Sequence, residues 1–280
     1  MRRHIAIALV LLAAGTAQAA EKRLDKTFAV SPGGTLTIDA DSASVRVSGS
    51  DGNQVVVHMV ARGSEDNLAD TQLDATQSTD GVLVTLKRAK HGWLGWWGNW
   101  NTDESIEVTV PRRYTVDAHT SGGGIELRDT VGTAKLRTSG GSITAKNLTG
   151  NLEARTSGGS IHTETIKGDV DASTSGGDVR LMQVDGAIRG RSSGGGVHIE
   201  LVGANRGITV STSGGGIELM LPKGTAGNLD AVTSGGSVSS DLPVTASSFG
   251  DSKLVGSING GGAAIYAHTS GGSISVRAGD

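Results

Sequence analysis

Thr138-Ser139-Gly140-Gly141-Ser142-Ile143 and, eighteen residues on, Thr156-Ser157-Gly158-Gly159-Ser160-Ile161 are one phrase written twice, and the repetition decides the fold. Thr-Ser-Gly-Gly also begins at Thr120, Thr174, Thr212, Thr233 and Thr269, and Ser-Ser-Gly-Gly begins at Ser192. From Thr120 to Ser192 the spacing is strict; it then loosens, and the final interval, Thr233 to Thr269, has the length of two units. Within that interval Asn259-Gly260-Gly261-Gly262 reads as a second, degenerate turn. A fixed short period implies stacked supersecondary units, none of which can bury its own apolar face alone.

Aligned units show two short strands each. After every Gly-Gly comes a β-branched residue one position on (Ile125, Ile143, Ile161, Val179, Val197), followed two residues later by Leu127, Ala145, Thr163 or Leu181. A second glycine recurs mid-unit at Gly132, Gly150, Gly168 and Gly186. Behind it lie Ala134, Leu152, Val170 and Ile188, then Leu136, Ala154, Ala172 and Gly190. Period two within each half predicts strands with one buried face, and no 3.6-residue period competes with it. The fold class predicted is all-β: a β-solenoid of roughly 18-residue two-strand coils at ~4.8 Å per rung. The expected reason for the glycines is a left-handed φ at tight corners, and the turn hydroxyls are expected to ladder along the rod.

Composition agrees. Glycine accounts for 44 of 280 residues, proline for 4, and aromatic residues for 3%, too few large side chains for an ordinary globular core. Upstream, Thr35–Ile38, Val45–Val47, Val55–Val57, Val82–Val84 and Ile106–Val108 read as strands without a strict period, with a short helix between Ser64 and Leu73. The organisation predicted is a signal peptide over 1–19, an irregular β N-terminal part of the solenoid over 20–119, and regular repeats over 120–280. The signal rests on basic Arg2 and Arg3, the apolar run Ile5–Ala14, and Ala17-Gln18-Ala19 before the cut. Ten apolar residues are too few for a transmembrane helix, so no membrane span is expected. There is no cysteine. Losing Arg2 and Arg3 moves the formal charge from −3 to −5, which excludes a basic footprint for nucleic acid.

The Thr-Ser-Gly-Gly-Ser-Ile unit, the mid-unit glycine and the closing stretch Asn259 to Ile274 resemble the bacterial domain-of-unknown-function family labelled "putative adhesin". The resemblance covers about 28 to 277. It implies an exported cell-envelope β-solenoid, periplasmic or at the cell surface, adhesin-like by label and with no catalytic residues to carry over.

Candidate chemistry is sparse. Gly190-Arg191-Ser192-Ser193-Gly194 matches a nucleophile elbow, but Ser192 falls in the column of Thr138, Thr156 and Thr174, so it reads as a repeat hydroxyl. His119 and His268 precede equivalent turns at opposite ends of the array, and His162 and His198 share a column with Arg180 between them. No metal site and no cofactor is expected. Arg137, Arg155 and Arg191 precede the turn hydroxyls in one outward column, beside Lys135, Glu153, Asp171 and Arg189. They are candidates for an anionic glycan or protein partner, although a solvated mixed-charge face produces the same pattern. Asp169 and Asp171 are read on one outward face. The anomaly is His91 to Trp100: Trp93, Trp96, Trp97 and Trp100 are all the tryptophans of the chain, gathered in a glycine-rich loop over 91–100. Such a cluster either plugs the solenoid or projects as a binding patch for a cell-envelope component. The function expected is non-catalytic binding or scaffolding. An accessory of envelope-stress signalling that binds a protein partner is the alternative, and a glycan-active β-helix enzyme comes third because no acid–base constellation appears.

Overall fold

The computed structural model describes residues 20–89 and 102–279; the predicted signal segment and the tryptophan loop 91–100 lie outside the described residues. The chain is 65% strand and 2% helix, arranged as a 12-stranded and a 13-stranded sheet packed face to face. Each repeat contributes one strand to each. Ile125–Val131, Ile143–Thr149, Ile161–Lys167 and Val179–Asp185 run side by side in the first sheet. Ala134–Thr138, Leu152–Arg155, Val170–Ser173 and Ile188–Arg191 do so in the second. Pairing is parallel and in register by whole units: Ile143 sits beside Ile125 and Ile161, and Leu152 beside Ala134 and Val170. Each inward residue therefore stacks on its copy, and the interior is one continuous column of Val, Ile, Leu and Ala. The β-solenoid is as predicted.

Two local features differ from the sequence reading. Strands of the first sheet do not stop at the second inward residue. Asp129, Asn147, Thr165 and Gln183 adopt left-handed φ of 54–58°, which skips one residue and returns Thr130, Leu148, Ile166 and Val184 to the core. The same left-handed kink recurs in every regular coil, so neighbouring rungs stay in register. The Gly-Gly pairs are also glycine for another reason than the one expected. Gly140, Gly141, Gly158 and Gly159 are not in the left-handed region; only the mid-unit Gly132, Gly150 and Gly168 are, with φ of 141–151°. At the corner the constraint is the next rung: a Cβ on Gly141 would lie 2.3 Å from the Gly123 carbonyl oxygen, and one on Gly159 2.1 Å from that of Gly141. Rungs stacked at strand spacing leave no room there.

Both ends are threaded out of sequence. The coil formed by Thr35–Ala40 and Ser44–Ser50 lies between the coil of Thr115–Thr120 and Ile125–Val131 and a later one, made by Gly81–Arg88 and Asp103–Pro111. Antiparallel strands then close this end: Gln54–Gly63 and Ala20–Ala29 on one sheet, Thr71–Gln77 on the other. The helix between Ser64 and Leu73 is there but short, Glu65–Ala69, with the Ser64 side chain accepting from the Asn67 N–H. At the far end Thr233 and Thr269 stand in adjacent coils, and the coil Ala264–Thr269/Ile274–Gly279 is inserted between Ile208–Thr212/Ile217–Pro222 and Gly227–Thr233/Val238–Ser240. The long interval is thus not a second repeat. It holds the antiparallel hairpin Val244–Gly250/Lys253–Ile258, and Asn259–Gly262 is the left-handed turn that reverses the chain out of it.

Candidate functional site

The turn hydroxyls are structural. Thr138, Thr156 and Thr174 are buried. Each donates its hydroxyl to the second turn glycine of the preceding coil (Thr138 to Gly123 O, 2.8 Å; Thr156 to Gly141 O, 2.8 Å) and accepts from a glycine N–H in its own turn. Ser192 does the same, donating to Gly177 O at 2.8 Å and accepting from Gly195 N at 3.0 Å. It is buried, and both roles of its hydroxyl are taken, so it is the repeat residue the alignment predicts.

Function, then, is left to the outer faces. On the 13-stranded sheet Arg137 and Arg155 are neighbours in adjacent rungs. Both contact the Glu153 carboxylate, Arg137 at 2.7 Å, and Arg155 also reaches Asp171 at 3.7 Å. The Arg137 hydrogen bond, with the charges of Arg137, Arg155 and Lys135, holds Glu153 below the usual carboxylate range. Arg191 stands further along the same column, beyond Ser173, and among the described residues it has no acidic partner within ion-pair distance. The structure therefore brings two of the three predicted arginines together and neutralises them, and leaves the third apart. Asp169 is not on the outward strand face with Asp171. It sits in the corner, where its carboxylate accepts the Ala187 N–H of the next coil at 2.9 Å.

A feature the sequence reading missed lies on the other sheet. The residue after Gly-Gly is Ser142, Ser160 or Asp178 in most regular coils, but Gly124, Gly196 and Gly216 elsewhere. Two open clefts coincide with those glycines. One, about 480 Å³, has Gly196 and Gly216 as its floor and Asp178, Arg180, His198, Glu218 and Arg277 as its walls. The other, about 450 Å³, lies over Gly124 beside Arg46, Glu107, Glu126 and Arg128. The walls are held by polar contacts: His198 Nδ1 hydrogen-bonds to Glu218 at 2.8 Å, and ion pairs join Arg277 to Glu218 at 2.9 Å, Arg180 to Asp178 at 3.2 Å, and Arg46 to Glu126 at 3.1 Å. The available signal was the loss of a serine from one column of the repeat. His162 and His198 do flank Arg180 in one column, as predicted.

The strands on either side of the tryptophan loop show where it is attached. Gly81–Arg88 belongs to one sheet and Asp103–Pro111 to the other, and Arg88 and Asp103 stand at the edge where regular coils carry Thr-Ser-Gly-Gly. The base is a polar clamp. Arg88 pairs with Glu104, whose side chain is 1% exposed, at 2.7 Å, and also donates to Ser42 at 2.9 Å and to the Thr102 hydroxyl. Ser42 in turn donates to the other Glu104 oxygen at 2.7 Å. Alongside, Lys87 bridges Asp39 and Asp41. Burial works to raise the Asp41 pKa, but the Arg88 N–H and the Lys87 ammonium outweigh it and hold the carboxyl below its ordinary range.

No curated protein matches the chain. Solved structures do so distantly. A "putative lipid binding protein" of Parabacteroides distasonis is 14% identical over 92% of this chain and 97% of its own, with a TM-score of 0.40. A "putative adhesin" of Bacteroides fragilis is 12% identical over 94% and 99%, at 0.34. A "putative cell adhesion protein" of Clostridium sporogenes is 13% identical over 92% and 100%, at 0.29. At those values none bears on what this chain does. The family model described as Toastrack DUF4097, in contrast, matches residues 34–277, and on that match the chain belongs to the Toastrack family.

Proposed function

We propose that this protein is exported to the cell envelope, periplasmic or at the cell surface, and works there as an adhesin-like binding or scaffolding protein without catalysis. The observation that carries the reading is the division of labour between inside and outside. The turn hydroxyls are consumed by rung-to-rung bonds, while the outer faces present long rows of ion-paired side chains interrupted by open clefts. Such rows suit an extended partner, a glycan or a protein, that touches many rungs weakly. Trp93, Trp96, Trp97 and Trp100 are proposed as its aromatic contact, with Arg137, Arg155 and Arg191 as a charged strip.

Tryptophan fluorescence tests this directly, since all four indoles of the chain lie in that one loop. A binding loop gives red-shifted, readily quenched emission that moves to the blue when isolated envelope fragments are added. Trp96→Ala with Trp97→Ala then abolishes binding with little change in melting temperature. Blue, quencher-resistant emission together with a loss of several kcal/mol in the double variant, as for buried large-to-small changes, would overturn the binding role of the loop. Product release from a polysaccharide panel would overturn the non-catalytic reading.

A further inference from the structure

The two ends of the rod treat their exposed sheet edges in opposite ways. At the N-terminal end the edge strand Ala20–Ala29 points lysines inward. Lys22 Nζ donates to the Thr71 carbonyl at 2.5 Å and Lys26 Nζ to that of Ala75 at 2.7 Å, across to the edge strand Thr71–Gln77 of the other sheet. Gln77 returns a bond to the Ala29 carbonyl at 2.8 Å. Inward-pointing charge and saturated carbonyls are what keep a sheet edge from recruiting another strand.

The C-terminal end has none of this. The edge strand of the 13-stranded sheet is Val244-Thr245-Ala246-Ser247-Ser248-Phe249-Gly250, with no charge and no proline. Among the described residues no side-chain hydrogen bond reaches the backbone of 245–250. Its inner neighbour is the hairpin partner Lys253–Ile258, and its outer N–H and C=O groups face solvent. Pairing fixes which side chains look toward the core axis. Val244 lies opposite buried Ile258, and Phe249 opposite buried Leu254, with a bulge at Ser247 changing the alternation between them. The strand is therefore amphipathic, with Val244, Ala246 and Phe249 inward and Thr245 and Ser248 outward. Phe249 is nonetheless 80% exposed because nothing lies beyond it.

We propose that this edge is a homodimer interface, in which Val244–Gly250 pairs antiparallel with the same strand of a second copy about a two-fold axis normal to the sheet. A second copy is favoured over an unrelated strand because the edge is complementary to itself. Its uncharged side chains meet no like charge, even though the whole chain is acidic. The bulge, moreover, creates a register that preserves both faces. With Phe249 opposite Val244 of the second copy, Ser248 falls opposite Thr245 and Ser247 opposite Ala246. Phe249 and Val244 then meet on the core side and Ser248 and Thr245 on the solvent side, in both halves at once, with the two bulges, Ala246 against Ser247, meeting at the two-fold axis. The pairing joins two rods end to end and covers Phe249.

The absence of cysteine makes the test clean. Sedimentation of the mature chain across a range of concentrations is expected to show a monomer–dimer equilibrium. Ala246→Lys, which copies the N-terminal guard by aiming a charge inward, is expected to weaken it at least about tenfold. Val244→Cys with Phe249→Cys is expected to oxidise to a covalent dimer. Those two positions, five residues apart on one extended strand, are too distant to bridge within a chain. Each single variant is expected to stay uncrosslinked, since its copies sit at opposite ends of the interface. A monomer at every concentration would overturn the proposal. A dimer that survives Ala246→Lys would overturn the location, and single variants that crosslink as readily as the double would overturn the register.

Discussion

Replacing Gly159 by Ala, one methyl group, is the sharpest test of how the rungs are held. The added Cβ would lie 2.1 Å from the Gly141 carbonyl oxygen and 2.4 Å from its carbon, so the two turns must part by about 1 Å to restore van der Waals contact. That same oxygen accepts the Thr156 hydroxyl at 2.8 Å, and the Gly158 N–H bonds to Ser139 O at 2.8 Å beside it. Two bonds at about 1 kcal/mol each, plus a buried hydroxyl left unpaired at about 1–3 kcal/mol, give a loss of about 3–5 kcal/mol. For a chain of this length that is on the order of 10 °C in melting temperature. Gly158→Ala is the control, because its Cβ would meet Gly140 O at 3.2 Å, a clash relieved by a few tenths of an ångström and costing within about 1 kcal/mol. Urea denaturation of both variants measures the difference. Equal midpoints would refute the steric account and restore a purely conformational one.

Thr156→Val keeps the shape of a buried side chain but orphans Gly141 O and the Gly159 N–H; a loss of about 1–3 kcal/mol is expected by the same denaturation, with Thr156→Ser close to wild type, as Ser192 already shows. Arg88→Ala leaves the buried Glu104 carboxylate without its cation, and a cost of about 3–5 kcal/mol is expected in the melting curve; Arg88→Ala with Glu104→Gln recovers part of it. Glu126 and Glu153 titrate below their ordinary value of 4.5, Glu153 mainly through the Arg137 hydrogen bond. Their contribution is therefore complete above that value and is lost as pH falls through the lower folded one. Urea midpoints should drop between pH 5 and 3, and drop less in Arg137→Gln.

The regular coils were legible because each inward position carries the same kind of residue every eighteen positions, as Ile143, Ile161 and Val179 do. The left-handed kink was not, because a left-handed residue need not be glycine: Thr165 and Gln183 carry it here, held by the rungs on either side. The left-handed φ expected of the turn glycines holds at Gly132, Gly150 and Gly168, but the reason for the Gly-Gly pairs was not legible. A clash with the neighbouring rung exists only once the coils are stacked, and nothing within one coil betrays it. The clefts over Gly124 and Gly196 were visible as gaps in a serine column, a signal that gains meaning only when that column is known to face outward. Threading at the ends was hidden because Asn259–Gly262 resembles the repeat in composition while reversing the chain.

That threading changes how the molecule can come apart. In a simple linear array the terminal unit has one neighbour and frays first, at the cost of one interface. Here the coil Ala264–Gly279 is wedged between two coils that precede it in the sequence, and peeling it away opens the core on both sides. The coil Thr35–Ser50 is wedged in the same way at the other end. Amide exchange in these two coils should then approach that of the middle of the rod, with opening confined to the antiparallel caps. The resistance to unzipping comes from threading alone, without any disulfide.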